Sequence, residues 1–187
     1  MSDFQKSTAE KAAKYIQMKP VYMDTETTGL GAKAEVVEIC IIDHDGEVLL
    51  NTLVKPSSRI PYDAVRIHGI TDELVLDAPT WIHVWLDVEN ILSGRVVGIY
   101  NADFDLRIMK QNHGLLGMRW RKPASQVFCI MNLYSDFYGS RRWQSLERAG
   151  QQCGISLKNS HRALDDTLLA RQVLLHMAQF SRLKGES

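Results

Sequence analysis

The chain has 187 residues, with 22 Lys and Arg against 22 Asp and Glu, and so carries no formal net charge at pH 7. That length suits one domain with a sizeable core, and 45% hydrophobic with 24% charged residues excludes a disordered or fibrous polypeptide. No apolar run approaches the roughly 20 residues of a membrane span. The mixed-charge N-terminus lacks the apolar stretch of a signal peptide, and Cys40, Cys129 and Cys153, odd in number and without zinc spacing, read as reduced packing residues of a cytoplasmic protein.

In chain order, residues 3–18 predict a helix, with Ala9, Ala12, Ala13 and Ile16 at helical spacing and Pro20 ending it. Three strand-like runs follow at 20–26, 36–44 and 47–54, the last two joined by an Asp45-Gly46 turn that signals a hairpin. Residues 56–71, with Pro56 and Pro61, read as irregular. A helix is expected at 79–93 and a buried strand at 95–100, then helices at 104–113, 130–138, 143–152 and 162–180. A hairpin-bearing sheet with helices interleaved later predicts an α/β domain with a mixed sheet. The boundaries read as a helical extension over 1–19, one domain over 20–180 and a tail over 181–187. The helix 3–18 reads as a packing or a docking element.

The overall neutrality hides an uneven distribution. Residues 1–106 hold 9 basic and 17 acidic residues, whereas 107–162 hold 10 basic residues against only Asp136 and Glu147. Such asymmetry points to a polyanionic partner, although each cation taken singly reads equally as a solvated surface group.

Several acids stand where packing disfavours them. Asp24 and Glu26 lie at i and i+2 of the first strand, so both side chains leave on one face. Two adjacent acids repel unless a cation intervenes; the alternative is a strand end facing solvent. Asp105 falls just past the strand 95–100, where ligands collect in α/β sheets, with Asp103 as a competitor and a simple first-turn helix acid as the other explanation. In the last helix Ala163, Asp166, Ala170, Val173 and Met177 form one stripe, in which Asp166 alone is polar. A carboxylate on a buried stripe must be paired or bind a metal. Asp165 belongs to a more polar neighbouring stripe. His161 would lie about 140° from Asp166 on a continuous helix, so the two share a site only if His161 sits in the loop before it. Four separated acids and one histidine fit a two-metal phosphoryl-transfer site in which the imidazole takes a proton from water.

The segments Asp24-Thr25-Glu26-Thr27-Thr28-Gly29-Leu30, Tyr100-Asn101-Ala102-Asp103-Phe104-Asp105 and His161-Arg162-Ala163-Leu164-Asp165-Asp166 have the form of the motifs DxETTG, HNAxFD and HxAxxD. In these the chain resembles the DEDDh 3′→5′ exonucleases, the group of bacterial proofreading subunits, ribonuclease T and oligoribonuclease. The segment Ile67-His68-Gly69-Ile70-Thr71 and the Ser145-Leu146 helix before Gly154-Ile155 are similar as well, and the likeness runs from about residue 20 to about residue 178. It selects Asp105 over Asp103 and Asp166 over Asp165.

The resemblance implies an RNase H-like fold, with a central mixed five-stranded sheet whose first three strands are antiparallel, flanked by helices. It implies release of 5′-mononucleotides from single-stranded 3′ ends of DNA or RNA, with two Mg²⁺ or Mn²⁺ held by Asp24, Glu26, Asp105 and Asp166. By the same likeness His161 is the general base, Thr27, Leu30 and His68 line the terminal nucleotide, and Asn101 orders the second motif or touches the backbone. Arg141 and Arg142, in the basic band, are candidates for the nucleic-acid backbone. Tyr100 stands where many members have His, and Cys129 where many have Asp. Two rival readings remain: a non-catalytic or proofreading subunit of a polymerase or repair complex, and a phosphodiesterase on short oligonucleotides. Trp81, Trp85, Trp120, Trp143 and the aromatics of 137–139 stack bases or, for most of them, fill the core.

Overall fold

The computed structural model of the protein describes residues 2–140, 142–155 and 161–181. One five-stranded sheet has the order β3-β2-β1-β4-β5. β1 (Val21–Thr27), β2 (Val36–Ile42) and β3 (Val48–Leu53) are antiparallel neighbours, while β4 (Val96–Ile99) and β5 (Gln126–Cys129) add in parallel on the other side of β1. The sheet is therefore mixed in the manner expected of an RNase H-like fold.

Strand alternation sends successive side chains into two helical layers. On one side Tyr22, Cys40, Ile42 and Phe128 pack with α1 (Asp3–Gln17), α5 (Ile130–Tyr138), α6 (Leu146–Gln152) and α7 (Ala163–Gln179). On the other, Met23, Ile39, Ile41, Val97 and Ile99 meet α3 (Trp81–Leu92) and α4 (Ala102–Leu115). A smaller cluster, Val37, Ile60, Ala64, Ile70 and Val75, seats α2 (Tyr62–His68). α1 packs on α5 and α7, and Tyr15 stacks on Phe128 of β5 with ring centroids 3.9 Å apart. Gly98 permits the tight packing of the neighbouring strands: a Cβ there would lie 2.7 Å from Phe128 Cζ.

The hairpin forms where Asp45-Gly46 predicts it. The Asp43 carboxylate accepts from the N–H groups of Asp45, Gly46 and Glu47 at 2.8–2.9 Å, and Gly46 takes φ +98°. Three elements differ from the sequence reading. Residues 62–68, expected to be irregular, form α2 between Pro61 and a left-handed Gly69; Tyr62 and Ile67 are exposed, so no apolar stripe announces it. β5, a strand of four residues, falls in a stretch where no strand is expected. The helix expected from 143 begins at Leu146, after Ser145 caps it by accepting from Arg148 N–H. No helix among the described residues is long and apolar enough to cross a membrane.

Candidate active site

β1 builds the centre. Asp24 and Glu26 project toward the α7 layer, and the intervening Thr25 toward the α4 layer, as alternation requires. The register with β2 slips between Glu26 and Thr27, a bulge that ends regular pairing beside the two acids. Asp166, in the first turn of α7, faces them: Asp24, Glu26 and Asp166 each offer an oxygen, and these three atoms lie within 4.8 Å of one another. The apolar stripe behind Asp166 is buried, with Ala163, Ala170, Val173 and Met177 in the core.

Asp105 reaches the site from the first turn of α4. It is 2% exposed and accepts a hydrogen bond from Thr25 Oγ1 at 2.7 Å. Asp103, its competitor, is exposed. The chain turns from β4 into α4 at Asn101, which adopts φ 65°, a left-handed conformation that Asn tolerates better than most residues. His161 also has φ 65° and precedes the first helical residue of α7. It is therefore free of the helix wheel, and it lines the same cleft as Asp24, Glu26, Asp105, Asp166, Tyr100 and Asn101, a hollow of about 240 Å³.

The electrostatics follow from crowding acids in a part-buried place. Burial first, then the charges of Asp105, Glu26 and Asp166, push Asp24 well above the ordinary carboxylate range. Burial and the neighbouring acids carry Glu26 up to about 8. Burial raises Asp105 to about 7 against the opposing hydrogen bond from Thr25, and Asp166 to about 6 against the opposing charge of His161. Carboxylates with this much mutual repulsion are a set of hard oxygen donors for a divalent cation, which would lower all four at once.

Sequence reasoning passed over one feature of this site. Glu38 of β2, 3% exposed, pairs with Glu26 across the sheet and accepts from Arg162 Nη2 at 2.6 Å, from Arg162 Nε at 3.1–3.2 Å and from Ala163 N–H at 2.9 Å. It clamps the start of α7, the step between His161 and Asp166. A carboxylate inside the apolar run Val36–Ile42 was a signal of the same kind as Asp166. The clamp also removes Arg162 from the basic band available to a polyanion.

A second hollow, of about 470 Å³, adjoins the first and shares Thr25, Glu26 and Phe104 with it. Thr27, Leu30, Ile67 and His68 line it. Leu30 is 78% exposed, and Thr27 Oγ1 donates to Gly29 O at 2.8 Å, in a turn where Gly29 takes φ +147°. His68 accepts Ile70 N–H at Nδ1 (3.0 Å), which leaves Nε2 to donate to Thr27 O (3.2 Å). Both its nitrogens thus hold backbone, and burial lowers its pKa. Tyr100 donates its hydroxyl to Gln144 O at 2.9 Å. Trp81, Trp85 and Trp120 pack around His113, whereas Trp143 and Arg142 are exposed. Arg141 lies outside the described residues.

Comparison with known proteins identifies the family and the fold. The profile of the exonuclease family matches residues 21–174. The chain is 37% identical over 190 residues to an uncharacterized exonuclease, CP81, of Escherichia phage 186, covering 96% of this chain and 98% of that one. Exonuclease X in complex with 5′ overhanging duplex DNA superposes with a TM-score of 0.66 at 24% identity, covering 89% of this chain and 93% of that one. The nuclease domain of 3′hExo, a DEDDh family member bound to rAMP, gives 0.73 at 19% identity, covering 85% and 90%.

Proposed function

The chain belongs to the exonuclease family, and from that premise we propose that it shortens nucleic acids from the 3′ end, releasing 5′-mononucleotides with two Mg²⁺ or Mn²⁺. The observation that carries the reading is the meeting of Asp24, Glu26 and Asp166 oxygens within 4.8 Å, with Asp105 beside them on Thr25. Asp24, Glu26 and Asp166 would hold the ion that carries the water, and Asp24 and Asp105 the second. When bound, the ions neutralise the scissile phosphate and acidify the attacking water.

The chain's own groups do the rest. His161 takes the proton of that water as its oxygen bonds to phosphorus; the bond to the 3′-oxygen of the shortened strand breaks, and that oxygen picks up a proton from solvent. The terminal nucleotide occupies the second hollow, its base against Leu30, while His68 holds the Thr27 carbonyl and so fixes the wall. Asn101 shapes the turn that presents Asp105, and Arg142, with Arg141, attracts the incoming backbone. One structure of the same fold is described in complex with 5′ overhanging duplex DNA and another bound to rAMP, which supports a substrate that ends in a nucleotide, with either sugar.

The test uses 5′-labelled single-stranded and duplex DNA and RNA, with Mg²⁺, Mn²⁺ or EDTA. A ladder shrinking by single nucleotides from the 3′ end, abolished by EDTA, supports the proposal. Internal cleavage, or release of the 5′ label as a mononucleotide before any ladder forms, defeats it.

A further inference from the structure

We propose that Trp143 is a stacking platform for the nucleobase on the 5′ side of the nucleotide being removed, held at the rim of the cleft by Tyr100. The inference rests on the exonuclease reading above and adds to it the place where the rest of the strand is gripped. The two hollows meet along Thr25, Glu26 and Phe104. A strand whose last nucleotide fills the hollow of Leu30 and His68 carries its phosphate over Glu26 into the acidic hollow. Its next nucleotide then leaves along the wall to which Ser145, Leu146 and Glu147 contribute, next to Tyr100.

Trp143 stands two residues before that wall and is 81% exposed, while the other three tryptophans pack around His113. Hydrogen bonds hold the residues on either side of Trp143. Ser140 Oγ donates to Arg142 O at 2.8 Å and accepts from Arg142 N–H and from Gln144 Nε2 at 3.1 and 3.0 Å. Gln144 is buried, and its carbonyl receives the Tyr100 hydroxyl at 2.9 Å from the floor of the cleft. Both neighbours of Trp143 are therefore pinned, so the backbone that carries the indole needs little further ordering on binding. One ring beside the exposed Arg142 matches a base followed by a phosphate; a protein partner would need a wider apolar patch. Tyr100 precedes the turn into the Asp105 helix, so the same segment presents an acid to the phosphate and fixes the platform for the next base.

Trp143→Ala, Trp143→Phe and Tyr100→Phe test this with oligothymidylates of increasing length and with the p-nitrophenyl ester of thymidine 5′-monophosphate, which offers one nucleotide only. Trp143→Ala is expected to raise KM for oligomers about tenfold more than KM for the ester, on the scale of one base stack. Phe at 143 restores most of that difference, and Tyr100→Phe reproduces part of it. Equal effects on oligomer and ester, or none on either, overturn the proposal. Tryptophan emission, titrated with oligothymidylate in EDTA, supplies a readout independent of turnover: quenching in the wild type that Trp143→Phe abolishes supports the platform, and quenching that persists refutes it. Should the wild type cleave neither substrate with Mn²⁺, the exonuclease reading fails, while the titration still decides whether Trp143 meets a strand.

Discussion

Glu38→Gln keeps the size and one oxygen of the side chain and removes only its charge. The carboxylate serves one backbone N–H and two guanidinium nitrogens, so glutamine must leave one of these donors facing an NH₂ group. Hydrogen bonds to a charged acceptor contribute about 1.5–3 kcal/mol, against about 1 for neutral ones. Arg162 has a side chain 47% exposed and recovers much of its loss by turning to water, whereas the Ala163 N–H is buried and cannot. A smaller countervailing gain comes from removing a negative charge that adds to the burial and the other acids in raising Glu26 and Asp166. The loss wins, leaving a net destabilisation of about 1–3 kcal/mol. Urea unfolding in EDTA checks it: with an m-value of about 2–3 kcal/mol/M, the midpoint falls by about 0.3–1.5 M without a change in slope. Because the clamp sets the peptide between His161 and Asp166, kcat is expected to fall further than stability alone explains, by more than about tenfold at a temperature where the variant stays folded. A variant within about 0.5 kcal/mol of wild type and within about twofold in kcat would show that α7 is positioned by its packing alone.

Four further outcomes are expected. Asp24→Ala, Asp105→Ala and Asp166→Ala should each abolish turnover, and near-normal rates in any one would remove that residue from the proposed ligand set. His161→Ala should lower kcat by on the order of 10²–10⁴ without weakening Mn²⁺ binding measured by calorimetry; a smaller loss passes the proton to another acceptor. In EDTA, stability should fall as pH rises from about 4 to about 8. The raised carboxyls of Glu26, Asp105 and Asp166 keep protons in the folded state that the unfolded chain has already released, so the stabilisation is complete below the ordinary carboxylate range and is lost through the folded values. Added Mg²⁺ should therefore raise Tm more at about pH 8 than at about pH 5, and an equal rise at both would contradict the charge argument. Thr25→Val deletes the donor to Asp105 while keeping a β-branched side chain, so it should raise the pH at which activity appears and cost about 1 kcal/mol in unfolding; no change in either would make that hydrogen bond idle.

What the sequence disclosed divides along physical lines. Asp24 with Glu26, and Asp166 on its apolar stripe, were legible because strand and helix periods alone assign their faces. His161 was legible as a conditional, since the wheel forbids it inside α7 and the left-handed residue before the helix satisfies the condition. Asp105 needed the motif to separate it from Asp103, because first-turn acids look alike in composition. β5 stayed hidden because a parallel strand of four residues is defined by its partner β4 rather than by its own pattern. The Glu38–Arg162 clamp joins residues 124 apart in sequence, and the Thr25–Asp105 bond residues 80 apart; nothing local records such distances. The neutral total charge was the least informative number. It sums a crowded acidic centre and a basic band, one member of which is consumed in holding that centre together.

The packing of α1 on α7 has a consequence for how the protein comes into being. α1 has its main docking surface on α7, so during synthesis its buried face must wait until the chain through α7 has been made. Asp24 waits for Asp166 over the same interval. The carboxylate cluster is thus assembled only after α7 has been made, and a nascent chain that stops short of it, still tethered to a messenger RNA, carries its acids apart.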